Sequence, residues 1–257
     1  MFPLRKIINA IKRFDNAYID AMEINFGKWK AIKYALNNDY KRSLALFRNI
    51  PCKLGKTIID VGANRGNFIH LAQLRFAPKK AICIEPLQEA FLKLKQRYNN
   101  NPKFSLFNCA LGASSGQTEM EVNTHDEASS ILPIRTEGEL IFTHKDLRPI
   151  DKILIELKTV DQIVREENVT SVELLKLDVQ GFELEVLKGA METLPKTRVI
   201  LSEISFYHQY EKGALFWDIH QFLKEKNFYL IDLGAYQTSK DGALLQGDAV
   251  FINKNLI

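Results

Sequence analysis

From residue 57 onward two kinds of apolar spacing alternate along the chain. Short contiguous runs, Thr57–Val61, Ala81–Ile84, Phe104–Phe107, Val172–Leu177 and Val199–Leu201, have the length of buried strands. Between them lie stripes at three-to-four spacing that predict helices. These are Phe68, Ile69, Leu71 and Ala72; Leu87, Ala90, Phe91, Leu94 and Tyr98; Leu184, Leu187, Ala190, Met191 and Leu194; and Leu215, Phe216, Ile219, Phe222 and Leu223. Asn99-Asn100-Asn101-Pro102 is a plain stop signal for the second of them. Alternation of this kind predicts an α/β fold whose mostly parallel sheet carries helices on both faces. Phe228–Leu233 and Ala249–Ile252 read as closing strands, antiparallel at the edge, which brings the expected sheet to seven strands.

The alternation breaks once, between Gly112 and Asp151. Thr118, Met120 and Val122 alternate with Glu119 and Glu121, the signature of one half-buried strand. Asn123 to Pro149 is polar, and a connection of that length inside a compact domain is usually a functional lid or disordered. Ile153, Ile155 and Leu157 predict a returning strand. Thr159 and Gln162 then read as a capping box for a short helix bearing Val160, Ile163 and Val164. The expected organisation is a helical arm over residues 1–50 and one domain over 51–257, with a lid-like insertion at about 113–151.

The first strand ends in Asp60-Val61-Gly62-Ala63-Asn64-Arg65-Gly66-Asn67. A strand, a glycine turn and a helix opening form the start of a nucleotide-binding half, with unpaired N–H groups at the helix N-terminus. Gly62 is expected to permit the sharp turn, and Gly66 a close packing of helix on strand. A dinucleotide site needs glycine where Asn64 stands, so an NAD-dependent oxidoreductase is disfavoured. A ligand without a pyrophosphate, S-adenosylmethionine (SAM) above all, is favoured. The second strand ends at Glu85-Pro86, where a carboxylate can accept hydrogen bonds from ribose hydroxyls. The same pair also suits a helix start, and the two roles are compatible.

Four motifs in order carry a resemblance. Asp60 to Gly66, Glu85-Pro86, Asn108-Cys109-Ala110-Leu111-Gly112 and Leu175-Lys176-Leu177-Asp178-Val179-Gln180-Gly181-Phe182-Glu183 together resemble the FkbM family of SAM-dependent methyltransferases, over about Thr57 to Lys254. The resemblance implies a Rossmann-like class I methyltransferase fold. It places the cofactor against Asp60, Gly62, Asn64, Gly66, Asn67, Glu85, Pro86, Asn108, Ala110 and Asp178, with Asn108 facing the adenine. Ser129-Ser130-Ile131-Leu132 is similar to a serine-rich element of the family and is expected in a lid over the acceptor. The family usually has Glu where Gln180 stands, so no charge-dependent role is assigned there.

Two neighbouring strands end in acids, Asp178 and Glu203, and should present both at the rim where ligands bind in such sheets. Methyl transfer to a hydroxyl requires a general base, or a metal that lowers the hydroxyl's pKa, and the pair suits either role. Two carboxylates can also hold a Mg²⁺-type ion. Lys176 should share a face with Asp178 and pair with one of the two acids, and His208 is a further candidate base. A structural ion pair and loop anchoring are the alternative roles for these residues. The expected reaction is O-methylation of a hydroxyl on a glycan or glycoconjugate, with a polyketide or other small molecule as alternative acceptor. A SAM-binding scaffold without turnover is the alternative from another class.

Charge narrows the partners. Residues 1–50 carry ten Lys and Arg against four acids, while the whole chain is only +4, which leaves residues 51–257 at −2. A nucleic-acid substrate calls for a basic face around the site, so nucleic acid is disfavoured. Leu4, Ile7, Ile8, Ile11 and Phe14 recur at helical spacing in a stretch whose first thirteen residues contain no acid. Such a helix can pack on the domain or on a second subunit, or lie on an anionic membrane surface. Tyr18–Tyr34, with Met22, Phe26 and Trp29, is expected to complete a helical cap. Cys52, Cys83 and Cys109 have neither CxxC nor zinc spacing, which suits a reducing cytoplasm. No apolar run reaches the length of a membrane span, so residence is expected in the cytoplasm or at the inner membrane surface.

Overall fold

The computed structural model describes residue 47, residues 50–53, 55–135, 147–239 and 241–257. The amphipathic arm and the second helical stretch of the N-terminus lie outside the described residues, as does the 136–146 part of the expected lid. Ten strands and five α-helices are described. They run β1 (Thr57–Val61), α1 (Asn67–Phe76), β2 (Lys80–Ile84), α2 (Gln88–Tyr98), β3 (Phe104–Phe107), β4 (Ala110–Leu111), β5 (Gly116–Asn123), β6 (Pro149–Lys158), α3 (Val160–Glu166), β7 (Val172–Leu177), α4 (Glu183–Lys188), β8 (Thr197–Ser205), α5 (Phe216–Glu225), β9 (Phe228–Thr238) and β10 (Leu244–Asn253).

Seven strands form the main sheet in the order β3-β2-β1-β7-β8-β10-β9. β10 is antiparallel to both its neighbours and the other pairings are parallel. The chain therefore leaves β1 for β2 and β3 on one side and returns to β7 and β8 on the other. The reversal makes a topological switch point between β1 and β7, where a crevice opens at the carboxyl ends of the strands. The α/β architecture read from the alternation is observed, and its seven-stranded sheet is of the Rossmann-like class I type that the resemblance implied. Because both faces are covered, β7 is buried at every position, and apolar clusters lie on each side of the sheet. Cys83 and Cys109 are buried, and burial pushes both thiols up.

A second, small sheet in the order β4-β6-β5 stands beside the first over a minor core of Leu87, Ala90, Ala110, Met120 and Ile155. The irregular region thus contains the expected strand at Thr118–Val122 and a longer return strand than the apolar residues suggested. The capping box before α3 is half formed. Thr159 Oγ1 accepts from the Gln162 N–H at 3.0 Å, but the Gln162 side chain turns to Ser115 and Glu166.

α4 ends at Lys188, well short of the apolar pattern that runs to Leu194. Gly189 caps it, and a Cβ there would stand 2.0 Å from the carbonyl oxygen of Gly112, so only glycine fits where the chain leaves the helix. Leu194 then falls in a separate 3-10 turn, Leu194–Lys196, still buried. Among the described residues no helix is long and apolar enough to cross a membrane.

Candidate active site

The glycine turn explains the position of everything around it. Gly62 has φ +74, and a Cβ there would lie 1.9 Å from the carbonyl oxygen of Asp178, so the ends of β1 and β7 touch only because no side chain intervenes. Gly66, also at positive φ, serves a neighbour other than the one expected. Its missing Cβ makes room for Leu94 and Tyr98 of α2, at 2.7 and 2.9 Å, and not for the strand. Asn64 adopts φ 46, a conformation its short amide side chain supports by accepting from the Arg65 N–H at 2.7 Å. α1 begins with no side-chain cap and no acid in its first turn, which leaves its N–H groups facing the crevice.

Glu85 closes β2 and is only 4% exposed. Its Oε2 accepts from the Asn64 N–H at 2.8 Å and its Oε1 from the Leu87 N–H at 2.9 Å. Burial pushes its carboxyl up to about 7 against the opposing pull of these two N–H groups. Asn108 donates its side-chain amide to the carbonyls of Glu85 and Pro86 at 2.9 and 3.0 Å. It therefore fixes the loop that carries the carboxylate.

The other half of the crevice is built on β7, β8 and β10. Parallel register sets Asp60 of β1 beside Lys176 of β7, and the fully buried Asp60 carboxylate stands 3.2 Å from the Lys176 ammonium. Lys176 also lies 3.4 Å from Asp178 and donates to the Gly62 carbonyl at 3.0 Å. Burial works to neutralise this lysine, but Asp60 and Asp178 outweigh it and hold the ammonium above its usual range. Burial raises the Asp60 carboxyl, with Lys176 opposing. Lys176 thus pairs with Asp178 and Asp60; no ion pair links it to Glu203.

Asp178 and Glu203 share one donor. Gln180 Nε2 lies 3.0 Å from Asp178 Oδ1 and 2.7 Å from Glu203 Oε2. Gln180 Oε1 accepts from the Tyr210 hydroxyl at 2.8 Å, and burial, then Glu203, keep that phenol protonated. Glu203 Oε1 takes a second amide, Gln246 Nε2, at 3.1 Å. The amide thus sits where a cation shared by the two acids would have to be, and it presents hydrogens to them. Among the described residues no three His, Cys, Asp or Glu groups gather into a metal-binding set. A divalent cation bridging Asp178 and Glu203 does not fit this donor set.

A cavity of about 420 Å³ joins the two halves. Gly62, Asn64, Asn67, Glu85, Pro86 and Ala110 line one end, and Lys176, Asp178, Gln180, Glu203, Gln246 and Asp248 the other. Its roof is His125 to Ile131, the serine-rich stretch included. This roof is fastened by an Arg65–Asp126 ion pair, by Ser130 Oγ donating to the Gln180 carbonyl at 2.8 Å, and by the Tyr210 hydroxyl 3.0 Å from the Ala128 carbonyl.

Four expected site residues do not line the cavity: Asp60, buried behind Lys176; Gly66, packed on α2; Asn108, engaged by the loop; and His208, exposed, its Nδ1 3.0 Å from the Gly213 carbonyl. Conversely, Gln180, Tyr210 and Gln246 escaped the reading. Gln180 alone left a signal, as an amide between two acids in sequence where a charge was expected.

The comparisons agree with this geometry. A sequence model of the methyltransferase FkbM domain matches residues 60–230. The chain is similar to the 2-O-methyltransferase NoeI of Sinorhizobium fredii, at 30% identity over 178 residues covering 66% of this chain and 72% of that protein. It is similar also to the hexuronic acid methyltransferase AglP of Haloferax volcanii, at 27% identity covering 56% of this chain and 54% of that one. The crystal structure of methyltransferase FkbM from Methylobacillus flagellatus superposes with a TM-score of 0.50 at 14% identity, covering 96% of this chain and 60% of that one, a likeness of fold. The chain thus spans little more than half of AglP and of that solved protein. A family match that begins at Asp60 and runs through both acid-bearing strand ends makes this chain a member of the FkbM methyltransferase family, and so a SAM-dependent methyltransferase.

Proposed function

We propose that this enzyme transfers the methyl group of SAM to a sugar hydroxyl, with Asp178 as the base. The observation that carries this reading is the opposition, in one cavity, of a ribose-type carboxylate on β2 and a half-exposed carboxylate on β7. Bound SAM supplies an electrophilic methyl on a sulfonium. Everything else falls to the chain.

Glu85 and the N–H groups of α1 orient the cofactor, with Gly62, Asn67, Pro86 and Ala110 shaping its bed. Positioning supplies much of the rate, since the acceptor oxygen must lie in line with the methyl. Asp178 then takes the hydroxyl proton as the new C–O bond forms. Its side chain is 41% exposed, whereas Glu203 is buried at 7% with both oxygens on amide donors. Glu203 is on this reading a positioning residue that holds Gln180, and through it Asp178. Lys176 keeps Asp178 ionised and aimed. No metal enters, because Gln180 Nε2 occupies the bridging position.

O-methylation is supported by the name of NoeI and a sugar acceptor by that of AglP, and both by a cavity end rich in amides and carboxylates, groups that suit hydroxyls. Purified enzyme given labelled SAM and a panel of glycosides should yield methyl ethers identifiable by mass spectrometry. Transfer only to non-sugar hydroxyls would overturn the acceptor reading.

A further inference from the structure

We propose that Gln237 is a specificity-determining residue whose amide binds the acceptor sugar at hydroxyls remote from the one that is methylated. The proposal rests on the sugar-hydroxyl reading above and extends it to the far wall of the same cavity. Gln237 belongs to β9, an edge strand of the main sheet, and lines the cavity together with Gln246 of β10. It is there because of a β-bulge. Ala249 pairs with Leu233 and Asp248 with Gly234, and uninterrupted antiparallel register would next set Tyr236 opposite Gln246. Gln237 is the residue found there, so β9 holds one residue more than β10 between these two pairs.

Side chains alternate between the two faces of a strand, so one extra residue moves Gln237 onto the face that Gln246 occupies, toward the cavity. Tyr236 falls instead beside Gly247. A Cβ at Gly247 would stand 3.2 Å from the Tyr236 ring and 2.9 Å from the Gly234 carbonyl oxygen, so glycine opposite the bulge leaves room for it. Bulges recur beside active sites, where they re-aim a side chain, and here the side chain re-aimed is an amide. Gln246 is already engaged, donating to Glu203 at 3.1 Å. The half-buried Gln237 amide forms no hydrogen bond with another described residue. An amide both donates and accepts, so it can bridge two vicinal hydroxyls, as a sugar presents them. β9 lies three strands outward from β7, about 14 Å between backbones at the usual strand spacing. With the reacting hydroxyl at Asp178, which follows β7, Gln237 meets the opposite part of the acceptor.

The test uses the full chain and methyl hexopyranosides, each with its monodeoxy analogues. With the glycoside that the native enzyme methylates fastest, Gln237→Leu should lower kcat/KM by about three- to tenfold, the loss falling on KM. Affinity for S-adenosylhomocysteine should stay as in the native protein. One analogue lacking a hydroxyl away from the methylated position should lose about the same factor with the native enzyme. Native enzyme and variant should then use that analogue equally well, an equality that a merely structural role would not produce. An unchanged kcat/KM in Gln237→Leu, or a loss confined to kcat, would overturn the proposal. So would a variant that discriminates against every deoxy analogue as strongly as the native enzyme does. Each of these results leaves sugar O-methylation standing. If no glycoside is methylated while S-adenosylhomocysteine still binds, the sugar reading falls and the proposal with it.

Discussion

The backbone N–H of Asn64 donates to Oε2 of Glu85 at 2.8 Å, so the turn that opens the cofactor bed also holds its carboxylate. Asn64 reaches this position at φ 46. The residue read as unfavourable to a pyrophosphate is thus the one that holds the carboxylate proposed for the ribose.

Cofactor affinity should depend on pH through Glu85. Its folded pKa is about 7, raised by burial, and ribose hydroxyls donate to the ionised form. Binding of S-adenosylhomocysteine should therefore tighten as pH rises toward 7, by up to about tenfold per unit, and level off above it. Glu85→Ala should weaken binding by about 1–3 kcal/mol and remove the slope. The effect on stability has the opposite direction. Glu85 and Glu183, both raised by burial to about 7, keep protons that the unfolded chain has released above 4.5. Their share of the stability is present at low pH and is lost between about 4.5 and 7. Calorimetry across pH 5 to 8.5 checks both; pH-independent binding would detach Glu85 from the ribose.

The two rim acids should separate by their kinetics. Asp178→Asn should lower kcat by about a hundredfold or more while S-adenosylhomocysteine still binds, since Glu85 and the glycine turn are untouched. Glu203→Gln leaves the base in place but disturbs its amide support. It should shift the acid limb of the pH–kcat profile and retain measurable turnover. If Glu203→Gln is the dead variant and Asp178→Asn the shifted one, the roles are exchanged.

The architecture was legible because strand and helix spacings are long and unmixed from β1 to α2 and from β7 to α5. Glu85 and Asp178 were legible because a strand followed by an acid marks the carboxyl edge of a parallel sheet; Glu203, expected to close its strand, lies two residues inside β8, which pairing with β10 carries on to Ser205. Three things were not. The end of α4 falls at Gly189, which packs on Gly112, distant in sequence, while the apolar spacing continues through the break. Asn108 faces the adenine only by the resemblance, and no local pattern announces that its Nδ2 donates to two carbonyls of the preceding loop. Tyr210 reaches Gln180 from a loop and Gln246 reaches Glu203 from the antiparallel strand, positions that no local pattern specifies.

The roof should open when its latch is cut. Arg65 and Asp126 are 38% and 31% exposed, so the pair contributes at most about 1 kcal/mol to stability. Its consequence should instead be kinetic, because it joins the glycine turn to the residues above the cofactor. Asp126→Ala should leave Tm nearly unchanged, raise the dissociation rate of S-adenosylhomocysteine several-fold, and speed hydrogen exchange in residues 125–131. Unchanged exchange would assign the roof's closure to Ser130 and Tyr210 alone.

Gln180 should decide whether the site is indifferent to metals. Its amide bridges two acids without adding charge: one donor group serves Asp178 and Glu203, and its oxygen is engaged by Tyr210. Native turnover should then be unaffected by EDTA. Gln180→Glu replaces the donor with a third carboxylate in a half-buried cluster, and like charges at that separation cannot all remain ionised without a counter-ion. The variant should lose about 1–3 kcal/mol of stability at pH 8 and recover part of it when the pH is lowered, as a shared proton returns. Mg²⁺ or Mn²⁺ should raise the Tm of Gln180→Glu and leave that of the native protein where it was. Loss of native activity in EDTA, restored by either ion, would show that a cation and not the amide joins the two acids during turnover.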